Sequence, residues 1–213
     1  SIPPGREHDS SWLSTLEASG KSWLTNQQDA DNKWREDVTN QLDLAQVEDQ
    51  SLFSELNNWL MSESQSRINY LDQQLVARQD WAKQQLQEQH TTLVKTWLNE
   101  WQKEYSNTTT DLTRKPSEHL HAFEIWLEQK KGQPEFAQNP QETFIDQTKT
   151  AQQTSFNQWM QHDNAHWSTC KNQVQEWFGQ KMNDLGNGRL DMSQFRSDFN
   201  LQRSQWQQDW QQL

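Results

Sequence analysis

The sequence predicts an all-α protein, an elongated antiparallel bundle of three long helices with two shorter helices. Residues 21–115 contain neither Gly nor Pro, which is typical of long uninterrupted helices. Trp12, Trp23 and Trp34 lie eleven residues apart, and eleven residues at about 100° each return to within about 20° of the starting direction. These indoles therefore share one side of a helix. No segment shows the alternation that is typical of a strand.

The composition favours a thin helical core. The chain has 213 residues, of which 31% are hydrophobic, and its mean hydropathy of -1.21 is typical of disorder. It also has 13 Trp, however, and each can bury roughly 150–250 Å². A narrow seam between long helices needs few apolar residues per turn. We therefore predict one helical, tryptophan-rich domain over residues 1–213, with a flexible N-terminal segment at 1–8.

The first half of the chain allows two arrangements. Trp59, Tyr70 and Trp81 repeat the eleven-residue spacing. An antiparallel hairpin that turns at Val47–Ser51 would pair the two aromatic sets as Trp34/Trp59, Trp23/Tyr70 and Trp12/Trp81. One continuous helix over residues 9–106 would instead place all six rings in a single stripe. We favour the hairpin because a lone rod leaves its apolar side without a partner.

The second helix, at about residues 52–105, carries another apolar side. Its members lie roughly opposite Trp59 and Trp81 and are Phe53, Ile68, Leu71, Leu75, Ala82, Leu86, Leu93 and Trp97. Asp49 and Ser51 can cap the start of this helix. Since a helix that is apolar on two sides packs between partners, it is predicted to be the centre of the bundle.

Connectors and capping residues divide the second half of the chain. Residues 106–116, rich in Thr, form a connector before a short helix, and residues 132–139 form a second connector. The run Asn139-Pro140-Gln141-Glu142 is a start signal for a long helix. Asp191, with Gln194 three residues later, starts the last helix.

Charge and hydrophobicity exclude several classes of function. The net charge is -11 and the 19 Lys and Arg are scattered along the sequence. This distribution excludes nonspecific binding to the phosphate backbone of nucleic acid. No stretch approaches the ~18 apolar residues of a membrane-spanning helix. Cys170 is the single cysteine, so no internal disulfide forms. A start at Ser1 without Met is consistent with an upstream signal or anchor that has been removed.

His162, His166 and Cys170 have the side-chain types of zinc ligands and lie on one side of a helix, four residues apart. Alternatively, Cys170 belongs to the tryptophan seam and both histidines face water. Asp163 stands where the H-E-x-x-H motif of metalloproteases has Glu, and no third ligand follows. The sequence also lacks a Gly-rich phosphate loop and a nucleophile elbow. We therefore predict no enzyme activity, no metal and no cofactor.

A small basic patch with outward-facing tryptophans is the candidate ligand-binding site. Most tryptophans are expected in the core, but some could face outward and bind a partner. The members of this patch are Trp101, Lys103, Arg114, Lys115, Trp126, Lys130 and Lys131. If the first connector folds over the bundle end, the patch could hold a sulfate or phosphate head group. The alternative is that these cations are dispersed and solvated.

Several tryptophan segments resemble a known family. They are "NNWLMSES", "KTWLNEWQKEYSN", "AFEIWLEQKKG", "FNQWMQHDNAHW", "VQEWFGQKM" and "SQWQQDWQQL". In them Trp is followed by an apolar residue, or by a second Trp four residues later. This pattern, from Leu52 onward, is similar to the tryptophan-rich antigens of the malaria parasite Plasmodium.

The resemblance implies a secreted, exported or cell-surface protein. Such a protein would be a non-enzymatic helical domain that contacts host-cell (erythrocyte) components, either a surface protein or membrane lipid head groups. The alternative function is a structural or scaffolding protein that self-associates or pairs with another coiled coil.

Overall fold

The computed structural model describes residues 2–44, 49–108, 116–131, 133 and 140–211. In these residues the chain forms α1 (Glu7–Leu44), α2 (Gln50–Thr108), α3 (Pro116–Lys130), α4 (Pro140–Gly186) and α5 (Met192–Gln211). No strand occurs in this part of the chain. The predicted all-α class, with three long and two shorter helices in a bundle, is confirmed.

The boundaries of the two predicted connectors are described only in part. Helix α2 extends to Thr108 and so takes in the start of the connector predicted at 106–116. Residues 109–115, and all of the connector predicted at 132–139 except residue 133, lie outside the described residues.

The predicted hairpin is confirmed, and the single continuous helix is wrong. Residues of α1 and α2 that contact each other are separated by fewer residues in sequence the closer they lie to the turn. Asp9 contacts His90, 81 residues away, and Gln27 contacts Arg67, 40 residues away. Such a decrease is what antiparallel helices give. Asp49 caps α2, since its Oδ1 accepts a hydrogen bond of 3.1 Å from the backbone N–H three residues later.

The predicted pairing of aromatic residues between α1 and α2 is wrong. Trp23 packs edge-on against Trp159 of α4, with ring centroids 5.5 Å apart, and not against Tyr70. Tyr70 and Trp81 are each 52% exposed. The eleven-residue spacing fixes which residues share a helix side, but it does not fix which neighbouring helix that side faces. Helix α4 covers the tryptophan stripe of α1.

The second apolar side of α2 is confirmed as core. Its members Ile68, Leu71, Leu75, Ala82, Leu86, Leu93 and Trp97 are buried, and Phe53 is half-buried. These side chains supply the apolar area whose removal from water stabilises the bundle. The central position predicted for α2 is wrong, because α1 and α4 also contact each other directly, as Trp23 and Trp159 do.

Helices α1 and α4 run parallel. Residues of α1 and α4 that form hydrogen bonds with each other keep a nearly constant separation in sequence. The separation is 140 residues for Arg6 and Asp146 and 136 residues for Asp31 and Trp167. A constant separation is what two parallel helices in fixed register give. Helix α2 is therefore antiparallel to both.

The chain divides into two compact units. Unit 1 comprises Ser1–Ser19 and Leu75–Ser155, and unit 2 comprises Gly20–Gln74 and Phe156–Leu213. The buried core of unit 1 contains Leu86, Leu93, Trp97, Trp101, Phe123, Leu127 and Ile145. The buried core of unit 2 contains Trp34, Val38, Leu42, Leu52, Leu56, Trp59, Leu60, Trp167, Cys170, Val174, Phe178, Met182, Phe195, Phe199 and Trp206. Helices α1, α2 and α4 contribute residues to both units, and a single domain stays a prediction.

Arg6 lies in the segment at residues 1–8 that is predicted to be flexible. This side chain is 3% exposed and donates hydrogen bonds of 2.9 Å to Asp9 and 2.8 Å to Asp146. The turn before it uses Gly5, whose φ of 82° lies in the region that favours glycine. No local pattern in the sequence indicates that a buried carboxylate pairs with this guanidinium.

Asp191 caps α5 as the sequence predicts. Its Oδ1 accepts a hydrogen bond of 2.8 Å from the backbone N–H of Gln194. Asp191→Ala should lower the free energy of unfolding by about 1 kcal/mol, because this N–H loses its acceptor. Asp191→Asn keeps an acceptor oxygen and should lose less than half of that. Urea unfolding followed by far-UV circular dichroism measures both, and equal losses would contradict a capping role.

Candidate functional site

A groove of about 910 Å³ lies within unit 2, between α2, α4 and the end of α5. We call it the aromatic groove. From α2 it is lined by Glu63, Ser66, Arg67 and Tyr70. From α4 it is lined by Trp159, His162, Asp163, His166, Trp167 and Cys170. From α5 it is lined by Gln207, Trp210 and Gln211.

Helical periodicity brings these side chains to one surface. The α2 members lie within eight residues, from Glu63 to Tyr70, and the α4 members within twelve, from Trp159 to Cys170, and both sets recur at spacings of three and four. Residues at these intervals lie on the same side of a helix. Each helix therefore presents one continuous strip to the groove.

The tryptophan walls of the aromatic groove are held by neighbouring rings. Trp159 packs against Trp23 with ring centroids 5.5 Å apart. Trp210 stacks on Trp206 at 5.8 Å and 12°, and its indole N–H donates a hydrogen bond of 3.0 Å to Gln173. Contacts of this kind fix the ring planes, so the groove is largely preformed, as ligand sites usually are.

Arg67 forms the floor of the aromatic groove. Its side chain is 8% exposed and pairs with Asp163 and, at 3.7 Å, with Asp31. The guanidinium carbon lies 5.2 Å from the ring centroid of Trp167, which is a cation–π contact. The indole N–H of Trp167 in turn donates a hydrogen bond of 2.8 Å to Asp31. Two carboxylates and an aromatic face thus compensate the buried positive charge.

Glu63 is the carboxylate of the groove that lacks such compensation. It is half-buried, and within the described residues it makes no ion pair. The lining holds two carboxylates, Glu63 and Asp163, and one guanidinium, that of Arg67, so besides its two histidines it has one more acidic than basic side chain. The groove is therefore aromatic and weakly acidic.

The three residues considered as zinc ligands line this groove, but Cys170 is closed to a metal. His162 is exposed and His166 is half-buried, with its Nε2 3.8 Å from Cys170 Sγ. Cys170 is 0% exposed, and burial raises the pKa of its thiol to about 11. Zinc binds the thiolate, so a protonated buried thiol is a poor ligand. Cys170 serves as a small core residue in unit 2.

Cys170 should be inert in the folded protein. With its thiol pKa near 11, the thiolate fraction at pH 8 is at least ~100-fold below that of an ordinary cysteine, and burial blocks the reagent further. Ellman's reagent should label the native protein at least ~100-fold more slowly than the protein in 8 M urea. Rapid labelling of the native state would contradict the burial and reopen the metal hypothesis.

A second polar cluster lies inside unit 1 around Asp9, which is 1% exposed. Its carboxylate accepts hydrogen bonds of 2.9 Å from Arg6 and 2.8 Å from Lys149, and His90 Nε2 lies 2.7 Å away. Burial on its own would raise the pKa of Asp9, but the hydrogen bonds from these three cations or donors lower it to about 2. We call this set the Asp9 cluster.

The Asp9 cluster is a structural ion network. His8, Asp9 and Asp146 have ligand atoms within 4.8 Å of one another, which is compatible with a metal ion. Arg6, however, bonds both carboxylates, and Lys149 bonds Asp9. These side-chain cations already supply the positive charge that a metal would bring. The network therefore links the start of α1 to α2 and α4.

The predicted basic patch contains one tryptophan that faces inward. Trp101 is buried and packs edge-on against Phe123, with ring centroids 5.6 Å apart, whereas Lys103 is exposed. Arg114 and Lys115 lie outside the described residues. Trp101 is thus core in unit 1 and does not present its face to a ligand.

The remaining members of the predicted patch pair with acidic residues. The Trp126 indole N–H donates to Glu104, and Lys130 pairs with the same carboxylate at 3.1 Å while lying 5.9 Å from the Trp126 ring centroid. Lys131 pairs with Glu128 at 3.6 Å. Ligand binding at this patch stays a prediction, and Glu104 reduces its positive charge.

Comparisons with known proteins leave the chain without an assigned relative. No family model matches it, and searches of curated proteins and of solved structures give no match. None of the described helices is both long enough and apolar enough to cross a membrane. The ligand of the aromatic groove therefore has to be inferred from its own side chains.

Proposed function

We propose that this protein is a non-enzymatic helical binding domain and that the aromatic groove is its ligand-binding surface. The observation that carries the proposal is the convergence of Tyr70, Trp159, Trp167 and Trp210 in one preformed concavity with Glu63, which makes no ion pair within the described part of the chain. Ligand sites are typically aromatic clefts with a few polar groups. Tyr70 is half exposed at the groove edge. A ligand that covers this ring would remove its apolar surface from water.

Two features support a binding role over catalysis. The Cys170 thiol is enclosed and held protonated, so it is not a nucleophile. Asp163 and Asp31 are committed to Arg67, which leaves them unsuited to proton transfer. Glu63 can attract and orient a ligand by its charge.

The expected partners are components of the erythrocyte surface. This expectation rests on the likeness of the tryptophan segments to Plasmodium tryptophan-rich antigens, which implies a secreted or surface-exposed protein. A surface protein and a membrane lipid head group are both compatible with an aromatic groove. The basic patch around Lys130 and Lys131 is the competing surface on the same chain.

Flow cytometry of fluorescently labelled protein on intact erythrocytes tests the proposal. The double variant Glu63→Gln/Tyr70→Ala should reduce binding about tenfold or more, as loss of central contacts does. Trp81→Ala, which removes an equally exposed ring from the same helix, should bind like the wild type. Lys130→Ala/Lys131→Ala should also bind like the wild type. Loss of binding in the lysine variant alone would move the function to the basic patch.

Sedimentation velocity tests the scaffolding alternative. We expect a monomer whose sedimentation coefficient does not change between 1 and 100 µM. A concentration-dependent dimer, together with unchanged erythrocyte binding in the groove variant, would favour a self-associating structural protein.

A further inference from the structure

We infer that the aromatic groove binds a methylated ammonium group, of the kind found in choline. The inference rests on the proposed function, in which this groove is the ligand-binding surface, and it adds the chemical class of the ligand. It follows from the aromatic lining, from the charge of the groove and from the way the chain already holds a cation there.

The lining has the rings that attract an organic cation. The faces of Trp and Tyr carry negative electrostatic potential, and methylated ammonium groups are recognised by sets of such rings. Tyr70, Trp159 and Trp210 line the groove from three different helices. Arg67 shows that the site tolerates this chemistry, because its guanidinium already lies 5.2 Å from the Trp167 ring centroid.

The charge of the groove selects a cation over an anion. Arg67 is matched by Asp163 and Asp31, whereas Glu63 has no ion-pair partner among the described residues. An incoming anion would meet the negative charges of Glu63 and Asp163. The Nε and Nη1 atoms of Arg67 have no hydrogen-bond partner in this structure, but both are buried, so an anion in the open groove does not reach them. An incoming cation would supply the positive counter-charge for the Glu63 carboxylate.

The aromatic part of the lining favours a methylated ammonium over a primary one. A primary ammonium has three N–H donors, and each needs an acceptor when it leaves water. Asp163 is already bonded to Arg67, so Glu63 is the one lining carboxylate that could accept from such an ion, and the other lining acceptors, on residues such as His162 and Gln207, are not carboxylates. A trimethylammonium has no N–H group, and its methyl groups pack against rings. The lining therefore fits a bulky, weakly hydrated cation.

Choline and its neutral isostere 3,3-dimethylbutan-1-ol provide the test, because they share shape and differ in charge. Ligand-observed NMR titrations of the full chain should give a Kd for choline of about 1 mM or below. The isostere should bind at least about fivefold more weakly. Glu63→Gln should weaken choline binding about fivefold and leave the isostere unchanged. Tyr70→Ala should weaken both ligands, and Trp81→Ala neither.

The outcomes separate this inference from the proposed function. Equal affinity for choline and the isostere, or a Glu63→Gln variant that binds choline like the wild type, would overturn the inference. If choline does not bind while erythrocyte binding still depends on Glu63 and Tyr70, the inference fails and the proposed function stands. Circular dichroism melting curves of each variant confirm that the chain is folded.

Vesicles of phosphatidylcholine identify the source of the group. Binding to these vesicles that free choline displaces assigns the site to a lipid head group. Binding of free choline without vesicle binding assigns it to a soluble choline compound. Both results uphold the same chemistry, and failure to bind either form overturns it.

Discussion

Trp59→Ala should destabilise the protein by about 3–5 kcal/mol, whereas Trp81→Ala should cost less than about 0.5 kcal/mol. Trp59 is 8% exposed and stacks on Trp206 with ring centroids 5.7 Å apart, while its edge contact with Phe199 is at 5.6 Å. Removing it leaves a cavity in the core of unit 2. Trp81 is 52% exposed, so its removal exposes little new apolar surface.

Equilibrium unfolding in urea measures the two variants. They make a sound pair because both replace the same residue type in the same helix, so the change in helix propensity is equal. The urea midpoint of Trp59→Ala should fall at an unchanged slope. Similar losses in the two variants would show that Trp81 packs against α1, as the wrong aromatic pairing requires.

Asp9→Ala should cost about 3–5 kcal/mol in the free energy of unfolding. The variant removes the carboxylate that the buried Arg6 and His90 share with the half-buried Lys149, and only Arg6 keeps a second partner, Asp146. Asp43→Ala is a suitable control, because Asp43 is an exposed acid on the same helix. A loss for Asp9→Ala no larger than that of the control would contradict a structural role for the cluster.

The contribution of Asp9 should depend on pH. Its pKa is about 2 in the folded protein, below the ordinary value of 3.8. A carboxyl with a lowered folded pKa stabilises the fold fully above its unfolded pKa, and this stabilisation is lost as pH falls through the folded pKa. We expect the gap in unfolding free energy between wild type and Asp9→Asn to narrow by about 2 kcal/mol between pH 6 and pH 2. A gap that stays constant would mean that Asp9 is not held as the charged form.

Local signals in the sequence were sufficient for the helices. The absence of Gly and Pro over 21–115 predicted the long helices, and Asp49 and Asp191 marked starts that the structure has. These signals act within a few residues of the backbone group that they satisfy, so a single sequence contains them. The apolar side of α2 was also readable, because its spacing follows one helix.

The sequence does not predict in the same way which residues of different helices pack against each other. The spacing of Trp23 allows Tyr70 or Trp159 as a neighbour, since both lie in stripes of equal period. Which one packs depends on where α4 docks, and that depends on contacts far apart in sequence. The buried charges of Asp9 and Arg6 were missed for the same reason.

The aromatic groove was found only in part. The spacing of His162, His166 and Cys170 on one side of α4 is visible in the sequence, where it suggests zinc ligands as one alternative although no metal is predicted. The residues that complete the groove, such as Glu63 and Trp210, come from other helices. An acid at a position that faces an aromatic strip of another helix has no signature in one sequence.

The recurrence of buried acid–base sets has a consequence for how the helices choose their alignment. Asp31 and Lys171 follow Asp9 and Lys149 at the same distance, twenty-two residues, and each aspartate accepts a hydrogen bond from its lysine. A stripe of tryptophans with an eleven-residue period would tolerate α1 sliding by one period, because ring would replace ring. A slip in one direction would bring the buried Gly20 opposite Lys149 and Leu42 opposite Lys171, and a slip in the other direction would bring Gly20 opposite Lys171. In either case the ammonium groups lose the aspartates that they pair with. The two aspartates therefore permit only one register of α1 against α4, whereas the tryptophans alone would permit several.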